Sequence, residues 1–249
     1  MNQSTTEPAV ITNKLTKRFG DFVATNEITF TVDKGEIFGF LGANGAGKTT
    51  AIRMLCGLLK PSSGEAKIAG YDVYRETEKI KQQIGYMSQK FSLYEDLTVR
   101  ENIRFYGGIY DLSVAEIKRK TEQILQNLNL HSVADTLVAS LPLGWKQKLS
   151  FSVALIHEPK IVFLDEPTGG VDPITRRQFW DMIYEAAHRG TTIFVTTHYM
   201  DEAEYCNRVS IMVDGRIQAL DTPRALKSQY GVDSMDGVFQ ILARGTSTK

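Results

Sequence analysis

Cysteine is nearly absent from this chain: two residues in 249, Cys56 and Cys206. Two cysteines cannot make the disulfide framework of a small secreted domain, so the fold must rest on a hydrophobic core, and a reduced, cytosolic setting suits it. An excess of charge of one sign is also lacking. Lysine plus arginine and aspartate plus glutamate each number 29. No global field is left to draw the chain to nucleic acid or to anionic lipid. No run approaches the roughly 18 consecutive apolar residues of a membrane span. The opening MNQSTTEPAV lacks the charged-then-apolar layout of a secretion signal. Any role at a membrane is therefore expected to come through a partner. Internal repeats and low-complexity linkers are missing too. The composition is ordinary for a globular protein, 42% hydrophobic and 23% charged, and is enough for a large core and one or two domains.

Periodicity gives the organisation. The stretch up to Val32 reads as short strands. Ile28, Phe30 and Val32 alternate as in a half-buried strand, and Gly20-Asp21 and Asp33-Lys34-Gly35 read as turns. Ile37-Phe38-Gly39-Phe40-Leu41 is a continuous apolar run, as in a strand buried on both faces. The spacing of Ile52, Leu55 and Leu59 predicts a helix that Lys60-Pro61-Ser62-Ser63-Gly64 stops. The middle of the chain is expected to be helical. Thr98 with Glu101 and Ser113 with Glu116 are capping-box patterns. Val114, Ile117, Thr121, Ile124 and Leu128 form one apolar stripe, and Leu149, Val153 and Ile156 form another, ended by Pro159. Strands return at 161–164, 192–197 and 209–213. Asp214-Gly215 then predicts a hairpin turn, and Thr222-Pro223 the start of a last helix.

The chemistry is concentrated in two places. Gly42-Ala43-Asn44-Gly45-Ala46-Gly47-Lys48-Thr49 matches the P-loop pattern in full. Glycines let successive backbone amides turn inward around phosphate oxygens, and the following helix points its positive end at the same phosphates. Lys48 is placed to reach the β- and γ-phosphates, and the Thr49 hydroxyl to ligate Mg²⁺. The second place is the strand at 161–164, which ends in Asp165-Glu166. Asp165, expected beside the P-loop strand, suits Mg²⁺; Glu166 suits the orientation of an attacking water. His198 follows a strand expected to neighbour the P-loop, whereas His131, His157 and His188 read as loop or helix-end residues.

With these motifs the chain resembles the ATPase subunit of an ABC transporter over nearly its whole length. The resemblance implies an α/β P-loop NTPase with a RecA-like core, an N-terminal antiparallel β subdomain and an inserted helical subdomain. The implied boundaries within a single ABC ATPase domain, 1–249, are 1–89 and 158–225 for the β subdomain and core. They are 90–157 for the helical subdomain and 226–249 for a C-terminal tail. Gly42, Asn44, Gly45, Ala46, Gly47, Lys48, Thr49 and Thr50 would hold ATP. Asp165 would end the Walker B strand, with Glu166 as the catalytic glutamate and His198 as the switch histidine on the γ-phosphate. Gln89 matches the Q-loop glutamine that senses Mg²⁺, so Thr49, Gln89 and Asp165 form the implied metal set. Asp172 matches the D-loop aspartate, and Phe19 the aromatic that stacks on adenine. The implied partners are integral-membrane permease subunits and a second ABC ATPase, identical or not. No nucleic acid is expected. The implied location is the cytoplasmic face of the cell membrane, held there by the membrane subunits. The run His198-Tyr199-Met200-Asp201-Glu202-Ala203-Glu204 resembles the drug- and polymer-export branch. Phe91, Leu93, Tyr94 and Leu97 either form the docking groove for the membrane subunits or pack inside the helical subdomain.

One motif departs from the family. Its signature reads Leu-Ser-Gly-Gly-Gln; here the aligned residues are Leu141-Pro142-Leu143-Gly144-Trp145. In the family this helix start meets ATP held by the other subunit, and Pro142 has neither the hydroxyl nor an amide hydrogen. Proline is favoured at a first helical position, so the helix is expected to survive, with Gly144 still available to the partner's nucleotide. Trp145 is expected either to anchor a partner or to pack within its own subdomain. Three functions follow: a transport ATPase with an altered signature, a weakly hydrolysing member of an asymmetric dimer, or a soluble ABC ATPase outside transport.

Overall fold

The computed structural model describes residues 7–89 and 93–246. Its first element is a long hairpin, β1 (Val10–Phe19) and β2 (Phe22–Val32), ten and eleven residues long rather than the short strands expected. Register shifts fall between Thr12 and Leu15, Leu15 and Lys17, and Lys17 and Arg18. Such bulges break the alternation by which a long strand is recognised in sequence. With β4 (Ser63–Ile68) and β5 (Tyr71–Asp72) the hairpin makes an antiparallel four-stranded sheet, ordered β2-β1-β4-β5.

The second sheet carries the P-loop. Its strands are β3 (Ile37–Leu41), β6 (Ile84–Met87), β7 (Ile161–Asp165), β8 (Thr192–Thr197), β9 (Arg208–Val213) and β10 (Arg216–Asp221). They are ordered β10-β9-β3-β8-β7-β6, all parallel except for β10. The strand ending at Asp165 is therefore not the immediate neighbour of the P-loop strand. β8 lies between them and brings the 197–198 corner directly beside the P-loop. Apolar runs buried on both faces have no alternation to reveal their order in a sheet.

Side chains of these strands divide by pleat between two cores. Phe38 and Phe40 of β3, Phe163 of β7 and Phe194 of β8 join Phe30 of β2 between the sheets. Their ring centroids lie 5.3–5.7 Å apart across the pairs Phe30–Phe38, Phe30–Phe40, Phe40–Phe194 and Phe163–Phe194. The alternate residues face a second core, which includes Phe179, Trp180 and Ile183 of α6 (Pro173–His188). Leu226 of α7 (Pro223–Tyr230) and Met235 and Val238 of α8 (Met235–Thr246) are buried in the same core, so residues designated a tail are packed against the sheet.

Helix α1 (Lys48–Leu55) ends four residues before Leu59. Gly57, at φ +68°, stops it: its amide bonds Met54 O at 3.1 Å while the Leu58 amide bonds Arg53 O at 2.9 Å. This is a Schellman ending, which a glycine adopts without the left-handed penalty. Asp214 and Gly215, at φ +47° and +76°, make the expected tight turn between β9 and β10. Thr222 caps α7 through the Ala225 amide, with Pro223 at the first position.

The helical part contains α3 (Val99–Ile109), α4 (Val114–Asn127) and α5 (Leu143–Ala154); α2 (Thr77–Gln83) lies before β6. Both expected capping boxes are complete, with reciprocal bonds at Thr98/Glu101 and Ser113/Glu116. A third core around Ile103, Leu125, Leu130 and Leu149 holds these helices together. The α4 stripe is rotated from the expected one: Val114 is 85% exposed and Leu125 is fully buried. At the junction with the β-sheet core, the His157 ring stacks 3.6 Å from Tyr110 of the helical part and its Nε2 bonds Ile84 O at 3.0 Å.

Burial pulls the His157 pKa down from 6.5 to about 4, against the smaller upward effect of the Ile84 bond. The unfolded chain thus binds this proton first as pH falls. The contribution of His157 to stability is present above about pH 6.5 and is lost as pH falls towards 4. Urea midpoints are expected to decline over that interval, and to decline less steeply in His157→Gln; parallel curves would contradict it.

Candidate functional site

The phosphate loop spans residues 42–47, between β3 and α1. Gly47 is the helix N-cap at φ +105°, and a Cβ there would stand 2.2 Å from Ala24 O. Only glycine fits that position. The loop is fastened from outside: Gly215 N donates to Ala46 O at 3.1 Å, so the β9–β10 turn braces it. Ala43, Asn44 and Gly45 are exposed at its tip, while Gly42 and Ala46 are buried and Gly47, Thr49 and Thr50 are half-buried. An exposed turn of amides over a helix N-terminus is a concavity for an anion.

Lys48 folds back into this loop. Its Nζ donates to Gly42 O at 2.8 Å and Ala43 O at 3.1 Å, and stands 3.5 Å from Glu166. Its side chain is only 4% exposed. That burial lowers its pKa from the ordinary lysine value, and Glu166 partly offsets the shift.

Glu166 is where the expected residues meet. Its carboxylate accepts Gln89 Nε2 at 2.9 Å, lies 3.2 Å from His198 Nδ1, and faces Lys48. Its backbone is left-handed, at φ +51°, a conformation that costs a non-glycine residue on the order of 1–2 kcal/mol. Two bonds from β8 hold it there: the Glu166 amide donates to Thr196 O at 3.1 Å and Thr196 Oγ1 at 3.0 Å.

Asp165 sits just below. Its Oδ1 accepts from Thr196 Oγ1 at 2.7 Å and from Thr49 Oγ1 at 3.3 Å, whereas its buried Oδ2 has no partner among the described residues. The structure thus gathers Lys48, Thr49, Gln89, Asp165, Glu166 and His198 into one cluster. Gln89 enters it through Glu166 rather than through the Thr49–Asp165 pair.

Three expected residues lie outside that cluster. Phe19 ends β1 at the hairpin turn, 49% exposed, with Lys17 Nζ 5.1 Å from its ring. Asp172 caps its own helix α6: it accepts the Ile174 and Thr175 amides at 3.0 Å and the Thr175 hydroxyl at 2.5 Å. The Thr175 hydroxyl, then the Thr175 amide, lower its pKa below the usual carboxylate range. Gly144 abuts the same threonine, where a Cβ would come 2.5 Å from Thr175 Cγ2. Gln147 adds a bond from Nε2 to Gly169 O at 3.0 Å. The start of α5 is therefore bound to the 169–175 segment of its own chain, and substituting Gly144 would disturb that segment before testing any partner.

Pro142 is the N-cap of α5, at φ −56° and ψ 147°, and not its first helical residue. The amides of Trp145 and Lys146 both bond Pro142 O, at 3.0 and 3.1 Å. Trp145 is 38% exposed and lines a groove of about 940 Å³ with Phe151 and Met182. Of the residues expected for docking, Leu93 is buried in the third core and Phe91 lies outside the described residues. Tyr94, 47% exposed, meets Phe105 edge-on at 4.8 Å.

Sequence reasoning missed Thr196, which positions both Asp165 and Glu166, and Gln147. The one signal for Thr196 was its place among the three threonines of a fully buried strand, Thr192, Thr196 and Thr197. A buried polar side chain needs a partner.

A phosphate-binding loop at the end of a central parallel strand, with two carboxylates two strands away, is the site of a P-loop nucleotide-binding protein. The chain belongs to the ABC transporter family: residues 25–169, more than half of it, match that family's profile. It is 48% identical over 227 residues to the probable multidrug ABC transporter ATP-binding protein YbhF of Escherichia coli K12. It is 40% identical over 240 residues to ABC transporter A family member 3 of Arabidopsis thaliana. These matches take in 91% and 93% of this chain, which spans 39% and 26% of the two relatives. Among solved structures, an ATP-binding subunit of an ABC transporter superposes with a TM-score of 0.85 at 30% identity, covering 94% of this chain and 99% of its own. A dimeric ATP-binding cassette in a post-hydrolysis state, bound to ADP and Pi, superposes with a TM-score of 0.78 at 25% identity, covering 86% and 98%.

Proposed function

We propose that this chain is the ATP-hydrolysing subunit of an ABC transporter, acting as one of two cassettes on membrane permease subunits at the cytoplasmic face of the membrane, with export as the direction. The observation that carries the reading is the convergence of Lys48, Gln89 and His198 on the Glu166 carboxylate. Export is supported by the multidrug transporter relative, and pairing of cassettes by the dimeric neighbour. No described helix is long and apolar enough to cross a membrane, so the translocation path is assigned to other segments or subunits.

ATP would lay its β- and γ-phosphates on the amides of residues 42–49. Lys48 would then exchange the Gly42 and Ala43 carbonyls for phosphate oxygens, which also draws it from Glu166. Phe19 would stack on the adenine. Thr49 and Asp165 suit Mg²⁺: a hydroxyl and a buried Oδ2 without a partner among the described residues are hard oxygen donors side by side. When bound, Mg²⁺ supplies positive charge against the phosphoryl oxygens. Glu166, freed from Lys48, would accept a proton from a water attacking the γ-phosphorus in line; the bond to the bridging oxygen breaks and ADP leaves. His198 would hold Glu166 and reach towards the transferred group. Gln89 and Tyr94, with the exposed Phe105, would form the route to the membrane subunits. The direct test is steady-state hydrolysis with and without Mg²⁺. Mg²⁺-dependent phosphate release supports the reading, and a chain that binds no nucleotide contradicts it.

A second reading, the weak member of an asymmetric pair, is favoured by Pro142. Pro142→Ser would place an N-cap hydroxyl at the start of α5, where serine is preferred by about 1 kcal/mol over a side chain that cannot cap. The melting temperature is expected to hold or rise. ATPase of the assembled complex is expected to rise by up to about tenfold if α5 completes a partner's site. A fall in turnover with unchanged stability would contradict this.

A further inference from the structure

The hydrolytic corner is tied to the start of α6 through a buried charge outside it. Glu202, in the turn Met200–Tyr205, is 0% exposed. Its Oε1 accepts the Thr168 hydroxyl at 2.6 Å and lies 3.7 Å from Arg176 Nε; its Oε2 has no partner among the described residues. Arg176, one turn into α6 from Asp172, spreads its guanidinium over the Tyr199 ring at 4.2 Å. Tyr199 in turn has its centroid 4.2 Å from that of His198, whose Nδ1 is 3.2 Å from Glu166. Thr168 is two residues beyond Glu166. The contacts therefore close a ring through the 165–168, 172–176 and 198–202 segments.

A fully buried carboxylate with one hydrogen bond and one distant cation is a costly choice, since apolar residues of similar volume are often as stable or more so. The cost is understandable if the pair fixes geometry. We propose that Arg176 and Glu202 are positioning residues that set the His198 ring against Glu166, so that movement of the Asp172 end of α6 shifts the hydrolytic pair. Arg176 acts through Tyr199, as a planar cation on an aromatic face. Glu202 acts by anchoring Arg176 and the 168 end of the strand turn together. The proposal rests on the reading that Glu166 and His198 serve hydrolysis.

The test uses the full chain and two variants, with Glu166→Gln as control. Arg176→Met keeps the aliphatic stem on the helix surface and removes the cation; Glu202→Gln keeps an acceptor for Thr168 and removes the charge. Both are expected to lower kcat for ATP by about ten- to a hundredfold with KM within about twofold, as misplacement of a reacting pair does. A second readout is independent of turnover. The His198 Cε1–Hε1 cross-peak of histidine-labelled protein, assigned with His198→Ala, reports the ring current of Tyr199. It is expected to move in both variants, while the His131 and His188 peaks stay. Unchanged kcat and an unmoved His198 peak would overturn the proposal, even with hydrolysis abolished by Glu166→Gln. If wild-type hydrolysis does not depend on Glu166, the functional reading fails, and the peak alone decides whether the two residues set His198. If either variant unfolds, the other and the peak in Arg176→Lys decide: a peak at the wild-type position with the charge kept and the planar group lost would remove Arg176 from the account.

Discussion

Glu166→Gln is expected to cut steady-state ATP turnover by about a hundred- to ten-thousandfold, the range a positioned general base contributes. The substitution keeps the side-chain volume and an acceptor for Gln89, and it removes the negative charge beside Lys48. Its effect on binding should therefore have the opposite sign. Lys48 loses the carboxylate 3.5 Å away that competes with phosphate, so ATP affinity is expected to stay or tighten. Two cassettes paired around unhydrolysed ATP should accumulate. Phosphate release at the wild-type rate would remove Glu166 from the reaction.

Lys48→Ala is expected to act on binding first. A charge-assisted hydrogen bond is worth about 1.5–3 kcal/mol, or roughly ten- to a hundredfold in affinity. The same ammonium also satisfies the Gly42 and Ala43 carbonyls from a nearly buried position. Its loss removes those two bonds to the loop, so the melting temperature measured without added nucleotide is expected to fall modestly. Equilibrium titration with labelled ATP, read beside the melting curve, separates the two effects. Unchanged affinity would show that the lysine does not reach the phosphates.

Much of the site was legible because phosphate binding dictates contiguous residue types. Six small or polar residues before Lys48-Thr49 have no other common purpose, and an apolar strand ending in Asp165-Glu166 declares its carboxylates. Capping boxes and the Asp214-Gly215 turn were legible for the same reason: each is a local hydrogen-bond or backbone requirement. What escaped was set by contacts between distant segments. The insertion of β8 between β3 and β7 depends on the whole sheet. The role of Thr196 depends on a strand placed beside Asp165. Pro61 points to a later end of α1 than the structure has, because the left-handed cap is supplied by Gly57. Pro142 was expected inside its helix but caps it, which leaves its carbonyl at the helix start and removes any side-chain cap.

Gly144 was read for a partner's nucleotide, yet its missing Cβ is required by Thr175 of the same chain. The start of α5 and the 169–175 segment are thus packed together, through Gly144 against Thr175 and Gln147 on Gly169. In a paired cassette both would reach the partner together. This makes Pro142 and Trp145, rather than Gly144, the informative positions for the altered signature.

The central claim is that one MgATP binds on residues 42–49 and is turned over through Glu166. Its most direct measurement is calorimetric titration of the Glu166→Gln chain with ATP, with and without Mg²⁺, followed by assay of the bound nucleotide. The account predicts about one ATP per chain, bound more tightly with Mg²⁺ and recovered as ATP rather than ADP. No saturable binding, or recovery of ADP at the wild-type rate, would contradict it.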